Sequence, residues 1–229
     1  MEFRYESEMA EPVRKWLEGQ QLIARQEFQL PWGICDLIGI SLCPKNVKVR
    51  LEQGQKSQVG SLFRAELLLQ IPDVNARKGI TLKNLEKRYS HFGALKIERE
   101  LEILQRRKFI CKNRRGSFQK FNGWLPLHDR IIAVELKLSR VSEALDQAAR
   151  NLQLANESYV GLPKSIAMRI AKSDRAVQFQ RNGIGILGID SDGCELVLAS
   201  SAKKKFQDNV LQMHCADRIW CDWTKDTSS

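Results

Sequence analysis

Residues 131–140 read IIAVELKLSR, an apolar run with one carboxylate and one ammonium set into it. Two-residue alternation puts Ile132, Val134, Leu136 and Leu138 on one face of a strand, and Ala133, Glu135, Lys137 and Ser139 on the other. The first face suits a core. The second carries two charges that are costly to bury unless paired or bound to a metal. A structural ion pair is the plain reading of Glu135 and Lys137. Asp36 repeats the anomaly, as the only charge between Leu30 and Leu42, in the run GICDLIGI. Read alone, Asp36 is an acid capping a strand end. Together, two acids intruding on separate core strands point to one site. Asp36 and Glu135 offer oxygen ligands to a hard divalent cation, Mg2+ or Mn2+. Lys137 beside them would orient, and help deprotonate, a water attacking a phosphate.

The elements around these strands alternate. Residues 6–18 form an amphipathic helix with Met9, Ala10, Val13 and Leu17 on one face. The strand-like runs LIARQEFQL and GICDLIGI follow, turning at Pro31-Trp32-Gly33. Beyond residue 140 the pattern predicts a helix over 141–155, a strand SYVGLP and a helix from 165 to about 181. Two further strands, GIGILGI and CELVLAS, meet at Ser191-Asp192-Gly193. This succession predicts an α/β fold, a mixed sheet flanked by helices.

Between the strands of Asp36 and Glu135 lies a segment of different character. Of the 37 Lys and Arg in 229 residues, 19 fall between Lys45 and Trp124, against 7 Asp and Glu, a local net charge of +12. The whole chain carries +10, so the flanking parts carry −2. Such partition predicts a nucleic-acid-binding insert spanning 45–124. Residues 57–71 read as a helix on Val59, Leu62, Phe63, Leu67 and Leu68. Thr81 caps a second, TLKNLEKRYSHF, and a third spans 94–107 on Ile97, Leu101 and Leu104. Two short β-like runs then surround Arg114-Arg115-Gly116. Helix, helix, tight turn, helix and basic hairpin resemble a winged helix-turn-helix, an α+β module whose third helix enters the major groove of double-stranded DNA. That resemblance turns Lys96, Arg99 and Glu100 outward on the third helix. It brings Arg106, Arg107, Lys112, Arg114, Arg115 and Lys120 to phosphates. The alternative is a helical dimerisation module, since Glu98, Glu100 and Glu102 would repel DNA locally.

Asp36 followed by Glu135-Leu136-Lys137, with a helix before and a helix after, resembles the PD-(D/E)XK phosphodiesterases, the restriction-endonuclease-like nucleases. The resemblance covers both parts outside the insert. It implies that the two acids and the carbonyl between Glu135 and Lys137 bind Mg2+ and that Lys137 serves the nucleophilic water. Cys35 stands where the family name has proline, and 98 residues separate Asp36 from Glu135. Many members add a glutamate on the first helix, a role for which Glu6, Glu8 and Glu11 compete. At 100° per residue Glu6 falls about 20° from Val13, whereas Glu8 and Glu11 fall beyond about 130°, which favours Glu6 as a catalytic and metal-site acid. Gln147 matches a helix position where relatives carry Gln or Lys; the competing reading is a solvated helical residue.

The expected function is therefore Mg2+-dependent hydrolysis of DNA by an endonuclease. Cutting both strands with one site per chain favours a homodimer. A DNA-binding or regulatory protein with an idle nuclease core, and an RNA or nucleotide phosphodiesterase, are the alternatives. No apolar run approaches the roughly 20 residues of a membrane span, and MEFRYESEMAEP has no secretory apolar stretch, so a cytoplasmic location is expected. The six cysteines include no C-x-x-C pair and are expected to be reduced. His91, His128 and His214 are scattered away from zinc spacing, and GIGILG lacks the acid a dinucleotide site needs.

Overall fold

The structure, a computed structural model, describes residues 3–121, 125–201 and 207–226. After a 3-10 turn at Glu6–Met9, the first elements are Ala10–Gly19 (α1), Ile23–Leu30 (β1), Gly33–Leu42 (β2), Pro44–Glu52 (α2), Leu62–Gln70 (α3) and Leu82–Arg88 (α4). Next come Ala94–Arg106 (α5), Ile110–Lys112 (β3), Phe118–Lys120 (β4), His128–Leu136 (β5), Val141–Asn151 (α6) and Glu157–Pro163 (β6). Lys164–Ala171 (α7), Arg175–Asn182 (α8), Gly185–Asp190 (β7), Gly193–Leu198 (β8) and Asn209–Asp226 (α9) complete the chain order. Among these residues no helix is long and apolar enough to cross a membrane, and the six cysteines form no disulfide.

The chain divides into two compact units. The first comprises Met1–Leu42 and His128–Gln212; the second comprises Cys43–Leu127 and Met213–Ser229. The sequence reading gave 125–229 to the nuclease-like core. The structure instead groups α9 from Met213 onward with the basic unit, because Met213, Cys215, Ala216, Ile219 and Trp220 are buried there. The predicted boundary residue Trp124 lies outside the described residues.

The first unit is built on a six-stranded mixed sheet of order β1-β2-β5-β6-β7-β8. The β5–β6 and β6–β7 pairs are parallel and the other three antiparallel. Every residue of β5 from Ile131 to Leu136 is buried, because the sheet is covered on both faces. Met9, Val13 and Leu17 of the N-terminal helix pack with Leu37, Ile132, Val134, Leu136, Leu187 and Ile189 on one face. A Cβ on Gly39 would lie 2.9 Å from Leu17 Cδ2, so glycine in β2 lets α1 lie close. On the other face Ala144 and Ala148 of α6, Ala167 and Ile170 of α7 and Phe179 of α8 pack with Val160, Leu162 and Ile186.

Three boundaries differ from expectation for local reasons. The helix expected over 165–181 is two, α7 and α8, parted where Ser173 Oγ donates to Ile170 O at 2.8 Å. The helix expected from residue 57 begins at Leu62, where Ser61 Oγ accepts from Arg64 N at 3.2 Å. The strand expected through Arg140 stops at Leu136, which frees Lys137 from the alternation.

In the second unit α3, α4 and α5 enclose a core of Phe63, Leu67, Leu68, Leu85, Tyr89, Ile97, Leu101 and Leu104. The β3–β4 hairpin follows, and Ile80, just before α4, adds an antiparallel bridge to Phe118. An additional helix, α2, opens the unit with Pro44 in its first turn.

Candidate functional site

Four of the five residues singled out for chemistry meet at one end of the sheet. β2 and β5 run antiparallel with Leu37 opposite Val134, which sets Asp36 beside Glu135. Asp36 Oδ2 accepts from Leu136 N at 2.7 Å. Burial raises the Asp36 carboxyl above its ordinary range, opposed by that backbone bond, by Lys137 and by a hydrogen bond with Glu135. Glu135 is only 2% exposed. Burial pushes it up to about 7, and the charge of Asp36 adds to this, while Asn151 and Lys137 pull the other way. Both neighbouring acids resist ionisation because burial outweighs the positive charge and hydrogen bonds near them.

Lys137 Nζ lies 3.2 Å from Glu6 Oε2, and Glu6 Oε1 accepts from Leu138 N at 3.3 Å. Of the three competing glutamates, Glu6 is the one at the site. Glu8 turns back to accept from Arg4 N at 2.7 Å, and Glu11 pairs with Arg14 at 2.6 Å. Glu6 serves the lysine in this arrangement. Among the described residues no three His, Cys, Asp or Glu side chains gather closely enough to hold one ion; the two acids in hydrogen-bond contact are Asp36 and Glu135.

Gln147 lies on α6, and its buried Oε1 has no hydrogen-bond partner. One turn further on, Asn151 was missed by the sequence reading. Its Nδ2 donates to Glu135 Oε1 at 2.6 Å, and its Oδ1 accepts from Trp32 Nε1 at 3.0 Å. Residues four apart share a helix face, and α6 runs back along the sheet from the end of β5. Gln147 therefore stands on the same face as Asn151, nearer the Lys137 end. The available signal was that spacing: two amides, Gln147 and Asn151, on a helix whose other inward residues, Ala144 and Ala148, are apolar. Cys35 also lines the cluster, its Sγ 3.6 Å from Asn151 Nδ2.

The donor chemistry fits a divalent cation. Asp36, Glu135, Glu6 and Gln147 bring oxygen donors, beside the nitrogen of Lys137 and the sulfur of Cys35; the acids outnumber their positive partners, and Gln147 Oε1 is an acceptor without a donor.

In the second unit Lys96, Arg99, Arg106, Lys112, Arg114 and Arg115 are exposed. Two of the predicted phosphate contacts are not. Lys120 is 7% exposed, with Nζ 3.4 Å from Asp73 Oδ1, because β4 turns it toward the loop after α3. Arg107 Nη1 donates to Gln58 O at 2.7 Å and closes the loop before α3. Glu100, expected outward, instead pairs with the buried Arg64. On α5 the exposed Lys96 and Arg99 are three apart, while Arg106 continues the i, i+4 row of Glu98 and Glu102, so acids adjoin the cations there. Lys96 Nζ lies 4.6 Å from the Phe92 ring centre, which holds its stem against the core.

Comparison with known proteins adds no assignment. No family model, curated protein or solved structure matches the chain.

Proposed function

We propose that the protein is a Mg2+-dependent nuclease that hydrolyses phosphodiester bonds of DNA, its first unit a restriction-endonuclease-like core and its second a winged-helix module for the duplex. The observation that carries the reading is the pair of adjacent acids, half-buried Asp36 and buried Glu135, set beside the buried Lys137. In support, a helix, three antiparallel strands, a helix and a parallel strand hold these residues in the order the resemblance implies. In the second unit the support is three helices, the hairpin and its added bridge at Ile80.

Asp36 and Glu135 would hold the cation, which when bound supplies charge for the phosphate oxygens and acidifies a water. Asn151 fixes the Glu135 carboxylate and favours its ionised form. Lys137 holds an ammonium beside the attacked phosphate and orients the water, and Glu6 holds Lys137 in place. Gln147 Oε1 supplies an acceptor for that water. The exposed cations of α5 and of the turn at Arg114 and Arg115 would meet the duplex backbone.

The Glu6–Lys137 ion pair favours a second reading, a DNA-binding protein with an idle core, because it occupies the lysine. A cleavage assay on plasmid DNA, linear DNA and RNA with Mg2+ or Mn2+ separates the two. Wild type cleaves, and Glu135→Ala and Lys137→Ala each lose about a thousandfold or more, roughly 4 kcal/mol of barrier. Wild type that binds DNA and cleaves none of these substrates overturns the nuclease reading in favour of the second.

A further inference from the structure

We infer that a basic notch at the C-terminal end of β5, lined by Ser139, Arg169, Ser173 and Arg175, grips a backbone phosphate next to the one facing Lys137. The inference rests on the nuclease reading of that same site and deepens it, by assigning the residues that hold the substrate strand in register.

Two adjoining cavities open beyond β5, of about 280 and 410 Å3, and they share Ser139, Val141 and Arg175. Each is smaller than, or near the low end of, pockets for drug-sized ligands, at roughly 300–1,000 Å3. A phosphate with its waters fits such a space. The cations are available to it: neither Arg169 nor Arg175 has an ion-pair or hydrogen-bond partner for its guanidinium among the described residues. Elsewhere in the unit arginines are spent on carboxylates, Arg14 on Glu11 and Glu18, and Arg130 on Glu157. The acids near the notch are Glu143, which pairs with Arg140 at 3.1 Å, and Asp174, exposed beside Arg175. Arginine forks match phosphate oxygens in pairs, and the hydroxyls of Ser139 and Ser173 add donors.

Position makes the notch part of the site rather than a surface feature. Ser139 follows Lys137 by two residues, which keeps their backbones within about 7 Å. Along one nucleic-acid strand the helical rise is about 3.4 Å per phosphate. A strand whose scissile phosphate faces Lys137 therefore presents its first or second neighbour to Arg169 and Arg175.

The test uses the full chain in EDTA, so that no cleavage is required, and follows binding of a labelled single-stranded oligonucleotide by anisotropy against salt. Each phosphate neutralised adds about 0.7 to the log–log salt slope for single strands. Arg169→Ala/Arg175→Ala removes the grip on that one phosphate and is expected to lower the slope by about 0.7, so the affinity lost between about 50 and 200 mM salt shrinks by about 2.6-fold. Arg181→Ala, an exposed arginine outside the notch, leaves the slope unchanged, and Arg169→Lys/Arg175→Lys retains it. Both arginines are exposed, so an unaltered melting temperature accompanies the change. Equal slopes for wild type and the double alanine variant overturn the notch, as does a wild type with no affinity for the oligonucleotide. A wild type that shows the slope change but never cleaves leaves the notch standing and removes the nuclease reading.

Discussion

Both units bury charge, and they do so to opposite effect. In the second unit Arg50 and Asp217, each 1% exposed, form an ion pair. Arg50 also donates to Ser57 O at 3.1 Å, Asp217 Oδ2 accepts from Val59 N at 2.7 Å, and the guanidinium lies against the rings of Phe109 and Trp220. Both carboxylate oxygens of Asp217 find donors, and the one orphan in the set among the described residues is the donor Arg50 Nε. In the first unit burial holds both Asp36 and Glu135 above the ordinary carboxyl range, and Gln147 Oε1 has no donor at all. The satisfied set ties α2 to α9. In the first unit's set the acids outnumber their positive partners, the demand that a cation would meet under the proposed function.

The largest expected effect tests the strut. Asp217→Ala leaves Arg50 buried without its counter-charge and should cost about 3–5 kcal/mol, read as a drop in the urea midpoint. Replacing both, as Arg50→Met/Asp217→Leu, should recover most of that loss. If Glu135→Ala costs as much as Asp217→Ala in metal-free protein, the contrast between the two sets fails.

The next effect sharpens the contrast through pH. The Glu135 carboxyl sits at about 7 when folded against an ordinary value of 4.5, so the folded protein binds more protons than the unfolded chain between those values. Its contribution to stability is complete below 4.5 and is lost as pH rises through about 7. Glu135→Gln keeps the acceptor for Asn151 and removes the ionisation. In EDTA the variant should gain on wild type with rising pH, by at most about 3 kcal/mol above pH 8. Parallel melting profiles for the two proteins would sink the idea.

Asn151→Ala is the smallest expected change. Losing the amide that favours ionised Glu135 should weaken Mn2+ binding by about 10–100-fold. It should also move the acid limb of the activity profile to higher pH. A weaker protein with an unmoved pH profile would make Asn151 a packing residue only.

The site was legible where a residue violated its surroundings. A carboxylate inside VELKL, and another inside GICDLIGI, are improbable enough to be read one residue at a time. Helical phase favoured Glu6 among three glutamates, but the structure winds Glu6–Met9 as a 3-10 turn, where that phase does not hold. Asn151 and Trp32 were not legible, because their importance is a hydrogen-bond chain of 3.0 and 2.6 Å between residues distant in sequence. Charge counting found the basic unit but not its inward cations. Arg107, Lys120 and Arg50 count as positive in the sequence like any exposed lysine, yet each is turned onto an internal acceptor. Helix α2 carries Val47, Val49 and Leu51 at alternate positions, a strand-like spacing. That concealed a helix opened by Pro44 and held by the buried Arg50.

By itself the sequence determined the α/β alternation, the +12 insert and the acids set into apolar strands. These are properties of local composition and period, which the chain carries before it folds. Only tertiary structure decided which glutamate meets Lys137, which arginines stay exposed, and that the last helix joins the basic unit. Those outcomes depend on which buried polar groups find partners across the fold, and pairing at a distance leaves no period in the chain.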